Sequence, residues 1–237
     1  MQSRIFKLGF ALIAPFFLFG CILTPGKFVS NLTLNADRSF AFAYQGEVYA
    51  IDPSSAMGDL GKSSSSDDPA DADKVNANAA TAASKKQEQD KKNKALAEAL
   101  SKEAGYRAVR YLGDGKFMID YAVSGTLNYN FVFPFNSDAE AVFPFVMIEL
   151  RANNSVRIKA PGFANDSKAD KSGMGAMGGA DAAASKLDGV FTLDTDAEII
   201  SQNNEDGAIK SGKRSIIKWR ATPLTKDAPT AVLRMAK

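Results

Sequence analysis

The chain has 237 residues, with 29 lysines and arginines against 27 aspartates and glutamates, one cysteine and no histidine. The missing histidine excludes imidazole bases, Ser-His-Asp and Cys-His nucleophile pairs, and the usual zinc, copper and haem ligation. One cysteine excludes an internal disulfide, and the even charge balance lacks the basic field that a nucleic-acid partner needs. An enzyme here would have to run on carboxylates, lysine or tyrosine. The expectation is a non-enzymatic protein with no metal and no cofactor.

Arg4 and Lys7 are the only charges among the first twenty residues, and an apolar run follows from Leu8 to Phe19. That is signal-peptide length. A spanning helix needs about 20 apolar residues, and Thr24-Pro25-Gly26 ends this run too early. Leu18-Phe19-Gly20-Cys21 resembles the lipobox of bacterial lipoproteins. The resemblance implies that residues 1–20 are cut away and that Cys21 becomes a diacylglycerol-bearing, acylated N-terminus. Phe19 departs from the small residue usual at its position, and the competing reading is ordinary secretion with Cys21 near the cleavage site by accident. Acyl chains give stable membrane attachment, since each buried methylene contributes about 0.8 kcal/mol. Ile22 stands where an aspartate would signal retention in the inner membrane, which implies the outer membrane, facing the periplasm of a Gram-negative cell. Without Arg4 and Lys7 the basic residues number 27, equal to the acidic ones. A neutral mature domain has no net attraction to anionic headgroups. The expected partners are the membrane, through the N-terminal acyl chains, and a lipid ligand or an envelope protein.

Phe28, Leu32 and Leu34 share one face, Asn35-Ala36-Asp37-Arg38 supplies a turn, and Phe40, Phe42 and Tyr44 continue the period-two pattern. This predicts a hairpin. The parity shifts toward Tyr49 and Ile51, which predicts a bulge near Gly46. Residues 53–83 read as a low-complexity insertion, because no apolar side chain between Leu60 and Leu96 is larger than that of Val75. From Ala83 to Ala104 helix formers predominate, with Leu96, Ala99 and Leu100 as a narrow stripe. That predicts a helix docked only by its C-terminal turns.

Tyr106–Leu112 and Phe117–Val123 flank Gly113-Asp114-Gly115, the signal of a second hairpin. Leu127, Tyr129, Phe131 and Phe133 then alternate with other residues, and Phe143–Leu150 and Val156–Ala160 flank Asn153-Asn154, a third hairpin. Residues 162–186 form a second, Gly/Met-rich insertion. Phe191, Leu193, Ile217, Trp219, Ala221, Leu233 and Met235 mark the last strands. The pattern predicts about nine strands, one main helix and no βα alternation, hence an α+β fold with a mostly antiparallel sheet. The foldable remainder suits one domain spanning 21–237.

Gly173-Met174-Gly175-Ala176-Met177-Gly178 spells G-x-G-x-x-G, with Glu198 20 residues beyond. A dinucleotide site needs a buried strand before that motif, whereas Asn165–Ser172 is polar, so the motif reads as a loop. Asp194, Asp196 and Glu198 alternate, but alternate residues on a strand stand about 6.6 Å apart, too far for one ion. They read as a solvated face, paired with Lys218 and Arg220. Trp219 reads as core. Phe131-Val132-Phe133-Pro134-Phe135 and Val142-Phe143-Pro144-Phe145-Val146 form a near-repeat. Each proline, lacking a donor, marks a strand end, an edge or a bulge. Phe131, Phe133, Phe135, Phe143 and Phe145 are either ordinary core or the lining of an apolar cavity or partner surface, and they are the candidate ligand-binding residues.

The order of strands, bulge and helix, closed by Gly212–Trp219 and a short last strand at Ala231–Met235, resembles the LppM-type domain. That family comprises bacterial envelope lipoproteins with an α+β domain thought to bind lipid. The resemblance implies the same for this chain, an envelope lipoprotein that binds a lipid or another hydrophobic molecule. A structural or assembly role through protein contacts is the alternative.

Overall fold

A computed structural model describes residues 22–51, 72–134, 144–165 and 185–236, with backbone only for Ile22 and residues 72–82. In chain order the elements are β1 (Ile22–Leu34), β2 (Ser39–Ile51), α1 (Ala72–Leu100), β3 (Tyr106–Gly113), β4 (Lys116–Thr126), β5 (Phe131–Phe133), β6 (Val146–Arg151) and β7 (Ser155–Lys159). A 3-10 turn at Pro161–Phe163 follows, then β8 (Asp188–Thr195), β9 (Glu198–Gln202), β10 (Ile209–Ser211), β11 (Arg214–Ala221) and β12 (Thr230–Arg234). The fold is α+β with mostly antiparallel pairing, divided between two sheets of order β10-β11-β8-β1-β2-β4-β3 and β5-β6-β7-β12-β9. Only the β1–β8 pair is parallel among the described residues.

The described residues contain twelve strands where about nine were expected. The missed ones are weakly patterned: β10 is exposed throughout, and β9 has no buried position. The three expected hairpins form. Asp114 and Gly115 (φ 50° and 72°) and Asn153 and Asn154 (φ 60° and 53°) take the left-handed conformation that tight two-residue hairpin turns require.

The bulge also forms, but in β1. Between Pro25, opposite Val48, and Phe28, opposite Gly46, β1 holds two residues where β2 holds one. The parity of β2 does not shift there, since Phe42, Tyr44, Gly46 and Val48 are all buried. Gly46 is required: a Cβ on it would stand 2.4 Å from the Lys27 carbonyl oxygen and 2.6 Å from Phe28 Cα.

The inner faces of the two sheets meet in one apolar core that includes Leu32, Phe42, Phe191 and Ile217 from the larger sheet and Ile148, Ile158 and Leu233 from the smaller. Helix α1 packs on β3 beside that core, and it docks by its C-terminal turns as expected. It starts at Ala72, inside the expected insertion, because residues 72–100 contain neither proline nor glycine and are rich in alanine. It ends at Leu100 rather than Ala104, in turns closed by Gly105 at φ 93°. The docked stripe is Asn93, Leu96, Ala97 and Leu100, while Ala99 is exposed. Asn93 is buried because its amide donates to the Tyr111 hydroxyl at 3.3 Å, and that hydroxyl donates in turn to Asp90.

The second insertion also begins later than expected. Phe163, inside 162–186, is fully buried, and its ring stacks on Phe28 with centroids 4.2 Å apart. The G-x-G-x-x-G segment lies outside the described residues. Asp194 lies in β8, Asp196 just beyond its end, and Glu198 opens β9 in the other sheet, so the three carboxylates share no strand. Their partners differ from those expected: Asp194 pairs with Arg214 at 2.6 Å, Glu198 with Arg234 at 3.0 Å, and Asp196 accepts the Ala36 N–H at 2.7 Å. Arg220 pairs with Asp188 instead.

Candidate functional site

Cys21 lies outside the described residues, as do Phe135 and Phe143. Its chain neighbour Ile22 is already in β1, opposite Ile51.

The remaining candidate aromatics divide by burial. Phe133 and Phe145 are each 1% exposed and belong to the core. Phe133 sits within 4.6–5.9 Å, centroid to centroid, of the rings of Phe42, Tyr44, Tyr121 and Phe145. These distances span the favourable range for offset and edge-on aromatic pairs. Neither Phe133 nor Phe145 presents a ring to solvent. β5 stops at Phe133 and β6 starts at Val146, so both prolines stand at strand ends as expected. Tyr129 is exposed rather than facing the core with its neighbours, because the chain leaves the larger sheet there for the smaller. Trp219 is core, as expected: it is 7% exposed, stacks on Phe191 at 5.6 Å, and donates its indole N–H to Asn203 Oδ1 at 3.1 Å.

Phe131 is different. It is half-buried, touching Phe40 and Phe42 at 5.5 and 5.3 Å, and it borders a cleft of about 270 Å³. Val132, Met147, Ile148 and Leu150 complete the apolar lining, with Asn130, Glu149 and Arg151 as polar groups. The cleft exists because β5 is only three residues long while β6 has six, which leaves the far half of β6 unpaired on the side away from β7. The Asn130 side chain fills part of that role: its Oδ1 accepts the Leu150 N–H at 2.8 Å. At the rim Arg151 bonds Glu149 at 2.8 Å, and this bond, against a smaller opposing effect of burial, holds the Glu149 carboxyl below its usual range. Arg157 and Lys159 add to that lowering. Asn130, Met147, Glu149 and Arg151 carry no motif that sequence reading could have used. Their role follows from where β5 ends.

Among the described residues no group of three or more His, Cys, Asp or Glu side chains is placed to hold a metal ion, and no helix is long and apolar enough to cross a membrane.

No family model matches the chain, and no curated protein matches it. Among solved structures it is similar to the folded domain of Mycobacterium tuberculosis LppM, determined by NMR, at 18% identity over 94% of this chain and 95% of that one, with a TM-score of 0.33.

Proposed function

We propose that this chain is a non-enzymatic lipoprotein of the bacterial envelope, anchored by acylated Cys21 in the outer membrane and facing the periplasm. Its folded domain takes up one hydrophobic chain or segment in the cleft beside Phe131. The observation that carries the binding role is the cleft itself: five apolar residues surround about 270 Å³ beside the polar groups Asn130, Glu149 and Arg151. An apolar lining with few polar groups is the composition of ligand sites, and the volume lies just below their usual range of about 300–1,000 Å³. The anchor is supported by the sequence Leu18-Phe19-Gly20-Cys21 at the end of the apolar run from Leu8 to Phe19.

A second reading, an assembly role through protein contacts, is favoured by one feature. The Leu150 N–H is satisfied by a side chain rather than by a strand, so an extended segment from a partner could displace Asn130 and pair with β6.

Native mass spectrometry of the protein released from membranes in mild detergent separates the two readings. Stoichiometric lipid on the wild type, lost on Phe131→Asp, supports the first. A protein partner without lipid supports the second and overturns the first.

A further inference from the structure

We propose that helix α1 is a detachable strap: it releases from β3 as one unit while both sheets stay folded, and so uncovers an apolar face joined to the Phe131 cleft by a run of packed rings. The release concerns an element outside the cleft and holds whether or not the cleft takes a ligand.

The helix is long and lightly held. Among residues 83–100 only Asn93, Ala97 and Leu100 are buried, with Leu96 partly so. Leu96 and Ala97 join the main apolar core, whereas Leu100 is buried apart from it. An element with so few buried apolar side chains opens at a fraction of the free energy of global unfolding. The strands beneath it are held otherwise: β4 is hydrogen-bonded to β2 on one side and β3 on the other, and it contributes the buried Phe117 and Ile119. What fastens α1 is a polar knot around one hydroxyl. Tyr111 Oη donates to the Asp90 carboxylate and accepts from Asn93 Nδ2 at 3.3 Å and from the Gly115 N–H at 3.2 Å, so one side chain ties the helix to both β3 and the β3–β4 turn. Lys86 and Asp114 add an ion pair at 2.8 Å, but both groups are largely exposed and such pairs contribute little. The pivot is the turn at 101–105, closed by Gly105 at φ 93°.

Release bares one side of the sheet. Tyr111 lies opposite Phe117, Val109 opposite Ile119 and Tyr106 opposite Tyr121, so these side chains form one apolar face at the β3–β4 end of the larger sheet. From that face the rings run on to the cleft. Tyr106 meets Tyr121 at 4.9 Å, Tyr121 meets Phe133 at 4.6 Å, Phe133 meets Phe42 at 5.1 Å and Phe42 meets Phe131 at 5.3 Å. With α1 released, the apolar surface open to a hydrophobic molecule is therefore no longer confined to the cleft of about 270 Å³.

Amide hydrogen exchange of the full-length protein, read by mass spectrometry, tests this. Residues 90–100 should exchange together with protection on the order of 100-fold, against about 10⁴-fold or more in β2 and β4. Tyr111→Phe and Leu96→Ala should each lower the protection of α1 about tenfold and leave β2 and β4 unchanged. In the double variant the released form should predominate, and hydroxyl-radical footprinting should show oxidation of Tyr106 and Tyr121 raised several-fold, with buried Tyr44 unchanged. Protection of α1 equal to that of β2 and β4, or strand protection that falls by the same factor in either variant, means that α1 opens only with the whole domain and overturns the proposal. Loss of α1 protection without added oxidation of Tyr106 and Tyr121 overturns it too. Neither result bears on the cleft, which is tested by the loss of ligand on Phe131→Asp.

Discussion

Replacing Phe133 by alanine separates core from binding surface. Its ring is 1% exposed and packs against Phe42, Tyr44, Tyr121 and Phe145. Truncating such a side chain removes its transfer free energy and leaves a cavity, which costs about 3–5 kcal/mol. For a domain of this size that is a fall in Tm on the order of 10 °C. Phe131→Ala, at a half-buried position on the cleft, should cost roughly 1–2 kcal/mol by lost burial alone. Urea unfolding followed by fluorescence measures both, because Trp219 is the only tryptophan and stacks on Phe191 within the same core. The m-value should stay constant while the midpoint moves. If Phe133→Ala costs less than about 1 kcal/mol, or no more than Phe131→Ala, Phe133 is not a core residue and the division of the aromatic repeat is wrong.

Three further outcomes are expected. Gly46→Ala should destabilise by about 2 kcal/mol or more, since the new Cβ meets backbone atoms of Lys27 and Phe28 that cannot rotate away; an unchanged urea midpoint would refute the bulge geometry. Thr195→Val should cost about 1–3 kcal/mol, because the buried hydroxyl donates to the Leu34 carbonyl at 2.6 Å and accepts the Ala197 N–H at 3.1 Å; thermal unfolding reads it. Burial raises the Glu47 pKa, but Lys116, Tyr49 and the Lys27 N–H outweigh it and hold the carboxyl below its ordinary 4.5. A depressed folded value means that Glu47 stabilises the fold above pH 4.5 and that this contribution fades as pH falls through the lower, folded value. Stability should therefore drop more between neutral pH and pH 3 in the wild type than in Glu47→Gln; equal acid sensitivity would contradict the ion pair.

Much of the fold was legible because the strands that build the core alternate strongly. Phe40, Phe42 and Tyr44 announce their strand, and Asp114-Gly115 and Asn153-Asn154 announce their turns. What stayed hidden had no local pattern. β10 is wholly exposed, and Phe163 sits in a Pro-Gly-Phe turn that reads as loop although its ring stacks on Phe28 from a distant part of the chain. The bulge was assigned to the wrong strand for a similar reason: the parity of the two strands constrains only their difference, and the crowding around Gly46 that decides it is tertiary. Asp194 and Glu198 looked like one acidic face, because sequence cannot show that the chain changes sheets between them. The cleft beside Phe131 was half visible. The aromatic repeat pointed to the region, but which ring borders open space depends on β5 being three residues long, and that is set by the crossing from one sheet to the other.

The tether at Cys21 underlies the proposed function. Intact-mass measurement of the protein purified from membranes tests it most directly. A chain beginning at Cys21 and carrying the mass of diacylglycerol and an N-terminal acyl group is the predicted result. A chain that retains the residues before Cys21, or one that begins there with a free thiol, would contradict it.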